Sequence, residues 1–368
     1  MIYLFLFVGV IFGLTIVSFF VQFKKNVTLF LLVLFAIILF SFLSFRSISS
    51  GSPDTFSHYK QFASIKECGS FNEAFAVLGL KRTFFLASDT LFYFLLWSIA
   101  RFVGSYRLFL ILCSAIISVC MSIFFYKNSD NPIFSFFLFI TIGLFSFSMN
   151  ATRQMLATSL CCSVFHCLFS KKHMWIYFFI ALLSVFLHRA AIIFLFIPLL
   201  FFINTNDFKT LLFYIVFLLF VTFVSGVLAD IFALLTTHNY STESVTQFSG
   251  IGTFLIYGFI IFMPLFNKSV YSSLSGSKNN NCMFHICILG LIFFFLHYNI
   301  NVIYERIHFF FLPAALIVIP FYCQKKNFGC AKHYLLISNI ITLFCLILFT
   351  YRVFNSSLSN YSFSFEFF

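Results

Sequence analysis

Charge is what this sequence lacks most. Only 9% of its 368 residues are Asp, Glu, Lys or Arg, and only ten of those are acidic, whereas 62% are hydrophobic. So little polar surface cannot cover a soluble globule of this size. Polar residues at every second position are also missing, which excludes the lipid-out, polar-in strands of an outer-membrane barrel. No GxxxxGK[ST] loop is present to cradle a nucleotide phosphate, and there is no GxSxG elbow. Short HxxxH spacings and carboxylates one helical turn apart are missing too, so neither a zinc hydrolase nor a divalent-cation site is expected. The eleven cysteines lie almost all in apolar stretches without CxxC spacing, and read as small apolar fillers. No cofactor is expected.

What is present is a series of long apolar blocks rich in the 65 phenylalanines. They run at about 2–23, 28–45, 108–126, 132–149, 155–169, 174–187, 190–203, 210–229, 251–266, 283–298, 307–322 and 334–350. A helical span needs roughly 20 apolar residues, so the expected fold class is all-α: a polytopic integral membrane protein of about twelve transmembrane helices, residues 1–368 forming one membrane-embedded domain. The block at 2–23 has no basic leader and no small-residue cleavage site, and is expected to remain as a first span.

The stretch 84–103 carries Asp89 and Arg101 and is ambiguous between a span and an interfacial helix. Topology separates the two. With 84–103 lying flat, the short loops of one side hold eleven Lys (24, 25, 127, 171, 172, 209, 268, 278, 325, 326 and 332). Those of the other hold only Arg153, Arg189, Arg306 and Arg352. If 84–103 spans, the bias disappears. The positive-inside rule therefore favours an interfacial helix at 84–103 within an outer segment 46–107, both termini outside, and a hydroxyl-rich outer loop at 230–250. The net charge of +12 is dispersed between apolar blocks and forms no stripe. It suits anionic lipid headgroups and an anionic substrate, and no nucleic acid.

In this topology all eight Arg fall outside. Lysine suffices to orient a span, whereas arginine offers a planar fork that grips phosphate in paired hydrogen bonds. Arg153, Arg189 and Arg306 each stand at a helix junction on the same side, and the polar run Asn150 to Gln154 would open a helix mouth to water. Such a face suits metal-independent transfer of a sugar away from a diphosphate. Negative charge grows on the bridging oxygen as C1 becomes oxocarbenium-like, and fixed cations lower the barrier. A base must take the proton of the attacking hydroxyl. His188, Asp54 and Glu305 are the candidates, in that order. His166, His285 and His297 read as packing or interface residues.

The pattern RQxxA (Arg153, Gln154, Ala157), a lysine-bearing turn, LHRAA (Leu187 to Ala191) and an apolar run ending at Pro198 resembles the EpsG-like family of Wzy-type O-antigen, capsule and exopolysaccharide polymerases. Gly51, Asp54 and Tyr59 in the early outer segment and YERIHFF (Tyr304 to Phe310) extend the resemblance over most of the chain. Thr55, where an aromatic is common, and Ala190, where a hydroxyl residue is common, depart from it. The resemblance implies a fold like that of GT-C-like glycan polymerases in a bacterial inner membrane, with its active site facing the periplasm or cell exterior. It implies that undecaprenyl-diphosphate-linked oligosaccharide is both donor and acceptor, with membrane lipid and a chain-length regulator as further candidate partners. Arg153, Gln154, Arg189, Arg306, Tyr59 and Tyr304 would bind substrate. His188, Asp54 and Glu305 would lie near the reacting sugars. A flippase of the same lipid-linked glycan should carry repeat halves and charges along a midplane path, which this sequence does not show. A membrane O-acyltransferase would instead need a catalytic histidine within a span, His166 or His297.

Overall fold

A computed structural model describes residues 2–21, 23–48, 53–79, 89–170, 172–202, 214, 216, 217, 219, 220, 250–299, 303–328 and 331–355. Its regular structure is helical throughout, without a strand among the described residues. The chain begins with α1 (Ile2–Phe20) and α2 (Lys25–Ser44), followed by two short polar helices, α3 (Pro53–Ile65) and α4 (Phe71–Val77). Next come α5 (Thr90–Phe102), α6 (Tyr106–Asn128), α7 (Pro132–Thr141), α8 (Leu144–Asn150), α9 (Thr152–Ser163) and α10 (Met174–Leu187). A 3₁₀ turn, Phe165–Phe169, precedes α10, and a second 3₁₀ stretch, Arg189–Phe202, follows it. The remainder is α11 (Gly250–Phe266), α12 (Lys268–Ser275), α13 (Lys278–Asn299), α14 (Ile303–Phe311), α15 (Ala315–Tyr322) and α16 (Ala331–Asn355).

Among the described residues, five helical stretches are long and apolar enough to cross a membrane, at Tyr3–Phe20, Lys25–Ser44, Tyr106–Asn128, Lys278–His297 and Lys332–Phe354. Two bent pairs, α7 with α8 (57°) and α11 with α12 (97°), raise the number to seven if each is one span. The chain is thus a polytopic membrane protein by the length and composition of its helices. Apart from 210–229, which lies mostly outside the described residues, every apolar block expected from the sequence falls on helix. Several of those helices are short: Met174–Leu187, Arg189–Leu200 and Arg306–Tyr322 have apolar composition without the length of a full span. The loop 230–250 lies outside the described residues except for Gly250.

Local chemistry explains the main boundaries. Asn131 caps α7 by accepting from the amide of Phe134 (3.2 Å), and Pro132 occupies the first turn, where its missing N–H costs nothing. Ser70 caps α4 by accepting from the amide of Glu73 (3.2 Å), and the Glu73 carboxylate accepts from the amide of Gly69, the residue before the cap (2.8 Å). Between α7 and α8, Gly143 takes φ +107°, a conformation that glycine alone adopts without strain.

The described residues form two compact units, Met1–Leu195 with Ile340–Phe368, and Phe196–Asn339. In the first, α6 packs between α2 and α9, α9 packs on α10, and α1 packs on α7. Its core is aromatic: Phe136 meets Phe35 at 5.2 Å and Phe125 at 6.0 Å, and all three are buried. In the second, α13 packs against α11, α14 and α15. There His285 is buried with Nδ1 2.6 Å from the Tyr214 hydroxyl, and His297 is buried as well.

Candidate functional site

In the first unit, α2 and α6 run antiparallel. Arg107 near the start of α6 donates to the carbonyls of Ser44 (2.9 Å) and Arg46 (2.8 Å) at the end of α2. At the opposite end, the Lys25 ammonium lies over the ring of Tyr126. The polar helix α3 packs on α5 and α8 at the arginine end, and α5 also packs on α6 and α10.

Arg46 is the buried tie of this end, only 5% exposed. Its Nη1 donates to the Leu43 carbonyl (3.0 Å), its Nε to Thr55 Oγ1 (3.2 Å) and its Nη2 to Thr152 Oγ1 (2.8 Å). Thr55 Oγ1 in turn donates to the carbonyl of Met149 (3.2 Å), and Tyr106 donates to the Thr55 carbonyl (3.0 Å). One guanidinium thereby joins the end of α2, the first turn of α3 and the α8–α9 break. Thr55, the departure from the family pattern, is a linking residue of this network.

Arg153 stands in the first turn of α9. Its Nη1 donates to Asp89 Oδ2 (2.7 Å) and to the Tyr93 hydroxyl (3.0 Å). Its guanidinium lies 5.6 Å from the centre of the Phe92 ring and 5.5 Å from that of Tyr93. The side chains of the ion pair are only 16% and 10% exposed. The other oxygen of Asp89 accepts from the backbone amide of Arg189 (3.1 Å). A single carboxylate therefore draws together the two junctions singled out in the sequence, one before α9 and one after α10. Asp89 adopts φ 51°, ψ 37° in the left-handed region, where Asp is tolerated better than most residues.

His58 on α3 is 3% exposed, its ring 5.1 Å from that of Phe92. Burial holds it well below the ordinary histidine range, and the positive charges of Arg153 and Arg46 push the same way, so the imidazole is neutral. Burial also raises the Tyr93 phenol against the pull of Arg153, while Asp54 and Gln61 of α3 bear on the same hydroxyl.

The residues named from the sequence fall as follows. Asp54 is half-buried in the first turn of α3, without a hydrogen-bond partner among the described residues. Tyr59 is 41% exposed, its ring edge-on to Tyr106 at 5.5 Å. Gln154 is buried on α9. His188 is half-buried with extended backbone at the end of α10, where its amide donates to Ser184 (2.9 Å) and its carbonyl accepts from Ala191 (2.8 Å). In the second unit, Arg306 is half-buried on α14, and Tyr304 is fully buried with its ring stacked on Phe293 at 6.3 Å. Glu305 belongs to α14, but its side chain lies outside the described residues.

Sequence reasoning missed Asp89, His58, Arg46 and Tyr93 as members of the site. For Asp89 a signal existed. A carboxylate inside an apolar stretch is costly unless paired, yet Asp89 enters the sequence argument only as a source of ambiguity about 84–103. His58 carries no comparable signal, because nothing in a short polar helix marks which face is covered.

A model of the EpsG family matches residues 29–363. No curated protein and no solved structure matches the chain.

Proposed function

The chain belongs to the EpsG family, and from that premise we propose that it is a polysaccharide polymerase, a glycosyltransferase that joins lipid-linked oligosaccharide repeat units outside the cytoplasmic membrane of a bacterium. The observation that supports this most directly is the convergence of the Arg153 guanidinium and the Arg189 amide on one anion, the carboxylate of Asp89. Guanidinium and peptide N–H donors aimed at a shared acceptor are what a diphosphate needs.

In the proposed reaction the bond between the donor sugar's C1 and the diphosphate oxygen breaks, a bond from C1 to the acceptor hydroxyl forms, and the hydroxyl proton passes to a base. The departing undecaprenyl diphosphate keeps the bonding electrons. Arg153 and Arg189 stabilise the charge that develops on it. Asp54 and His188, both half-buried, are the bases proposed within the first unit. Tyr59, with its exposed ring, is proposed to pack against a sugar. Gln154 is buried and enters as a residue behind the site, and Tyr304 is proposed as a substrate-binding residue. Arg306 is also proposed as a substrate-binding residue and Glu305 as a candidate base.

In this reading the chain is one membrane-embedded domain of twelve spans, the Arg-bearing ends outside and the Lys-bearing turns in the cytoplasm. A chain-length regulator is a proposed partner, and the reaction is written without a metal.

The test is deletion of the gene followed by gel analysis of surface polysaccharide, then complementation. Single capped repeats without polymer are expected from the deletion, and the same phenotype from Arg153→Lys and Arg189→Lys with normal amounts of protein in the membrane. Loss of all surface repeats would point to a flippase, and altered acetylation at normal length to an acyltransferase. Normal ladders from both lysine variants would remove the arginines from the site.

A further inference from the structure

At the end of the first unit opposite Arg46 and Arg153, α2 and α6 part to leave a groove of about 470 Å3. Its walls are apolar, from Leu29 to Phe40 on α2 and from Ala115 to Ile123 on α6. The gap exists because small side chains, Ala36, Ala115, Ser118 and Ser122, stand where the two helices would otherwise fill it. Its mouth is different in kind, being formed by Tyr126 and Lys127. The Lys127 ammonium is 5.8 Å and the Lys25 ammonium 5.9 Å from the centre of the same Tyr126 ring. Both lysines are exposed, and among the described residues neither has a carboxylate partner. Two like charges are thus held at one aromatic ring, at the edge of an apolar slot.

We propose that this groove binds one anionic phospholipid, with an acyl chain between α2 and α6 and the phosphodiester between Lys25 and Lys127. The dimensions agree with that occupant. From Leu29 to Phe40 the groove runs roughly 17 Å at the helical rise of about 1.5 Å per residue, close to half of a hydrocarbon core of ~30 Å. A chain entering at the lysine end therefore reaches the midplane and stops. A single negative charge at the mouth relieves the repulsion between two ammonium groups, and a zwitterionic head does so less well because it brings its own cation. Tyr126 suits the boundary, its ring apolar and its hydroxyl at headgroup level. The inference is independent of the arginine end and of the proposed polymerase activity.

The experiment uses the full-length protein in nanodiscs of equal phosphatidylglycerol and phosphatidylcholine with identical chains, the retained lipid being counted by native mass spectrometry after extraction. One phosphatidylglycerol per chain is expected to remain, enriched roughly thirtyfold over phosphatidylcholine, as two surface lysines would give. In the double variant Lys25→Gln with Lys127→Gln, a lipid is still retained but the enrichment falls to near unity. In Ala115→Leu, which fills the slot and leaves the charges in place, retention of both lipids drops. Equal retention of the two lipids by the unaltered protein would overturn the proposal, as would enrichment that survives in the glutamine variant. So would a dimer joined through Val119 and Ile123, because a second copy of the chain would then occupy the face.

Discussion

Asp89 and Arg153 are 64 positions apart in the chain and meet at 2.7 Å. The contact joins the start of α5, within the stretch that the Lys and Arg bias assigns to an interfacial helix, to the helix bearing the RQxxA pattern, α9. Because Asp89 also accepts from the Arg189 amide, it fixes the entry of α9 relative to the exit of α10.

The first prediction concerns that pair. Asp89→Ala leaves a largely buried guanidinium without its counter-ion, and breaking such a pair costs ~3–5 kcal/mol. Asp89→Asn, which keeps a hydrogen-bond acceptor, is expected to cost less. Thermal unfolding of the purified variants in one detergent checks the order, and an Asp89→Ala protein as stable as the parent would show that the pair does not hold α5 in place.

Arg46→Lys is expected to destabilise by several times the ~1 kcal/mol of a typical hydrogen bond. The guanidinium donates to Leu43, Thr55 and Thr152 through three different nitrogens, and one ammonium cannot reproduce that planar spread. Comparison with Thr152→Ala, which removes a single one of these contacts, separates the network from its parts. Equal losses in the two variants would argue against it.

A third prediction is a pH dependence. His58 is neutral in the fold, its pKa lowered by burial and then by Arg153 and Arg46, whereas in the unfolded chain it titrates near 6.5. The unfolded state therefore binds a proton that the native state refuses. The contribution to stability is complete above pH ~6.5 and is lost as pH falls below it, by up to ~1.4 kcal/mol per pH unit. In His58→Gln the decline between pH 7.5 and 5 should be shallower. An unchanged slope would assign the acid sensitivity to other groups.

The break between α7 and α8 supplies a fourth. A Cβ on Gly143 would stand 2.7 Å from Arg352 Nη1, and the backbone there has φ +107°. Arg352 itself donates to the Thr141 carbonyl (3.2 Å), which the bend leaves without a helical partner. Gly143→Ala is expected to lower stability by ~1 kcal/mol or more, chiefly through the backbone, since the arginine tip can shift. Arg352→Ala should add a further loss by exposing that carbonyl. If both variants unfold at the parent's temperature, the break is not held in this way.

Much of the fold was legible in the sequence, because a bilayer imposes one simple condition: backbone polar groups must be satisfied within the segment that crosses it. Apolar blocks therefore mark helices, and the blocks at 2–23, 28–45, 108–126 and 334–350 coincide with long ones. Arg153 and Arg189 were legible too, since each is a cation at the edge of an apolar block. The break at Gly143 was not, because the block at 132–149 is uniformly apolar on both sides of it.

Composition, the spacing of apolar blocks and the unequal placement of Lys and Arg by themselves determined that this chain is a helical membrane protein with arginine-bearing junctions. Those are properties of segments, each decided by its own solvation. Which groups meet at one point was decided only by tertiary structure. The partners of Arg153, the cover over His58 and the three acceptors of Arg46 come from helices far apart in sequence, and a burial or a pairing exists only once those helices have packed.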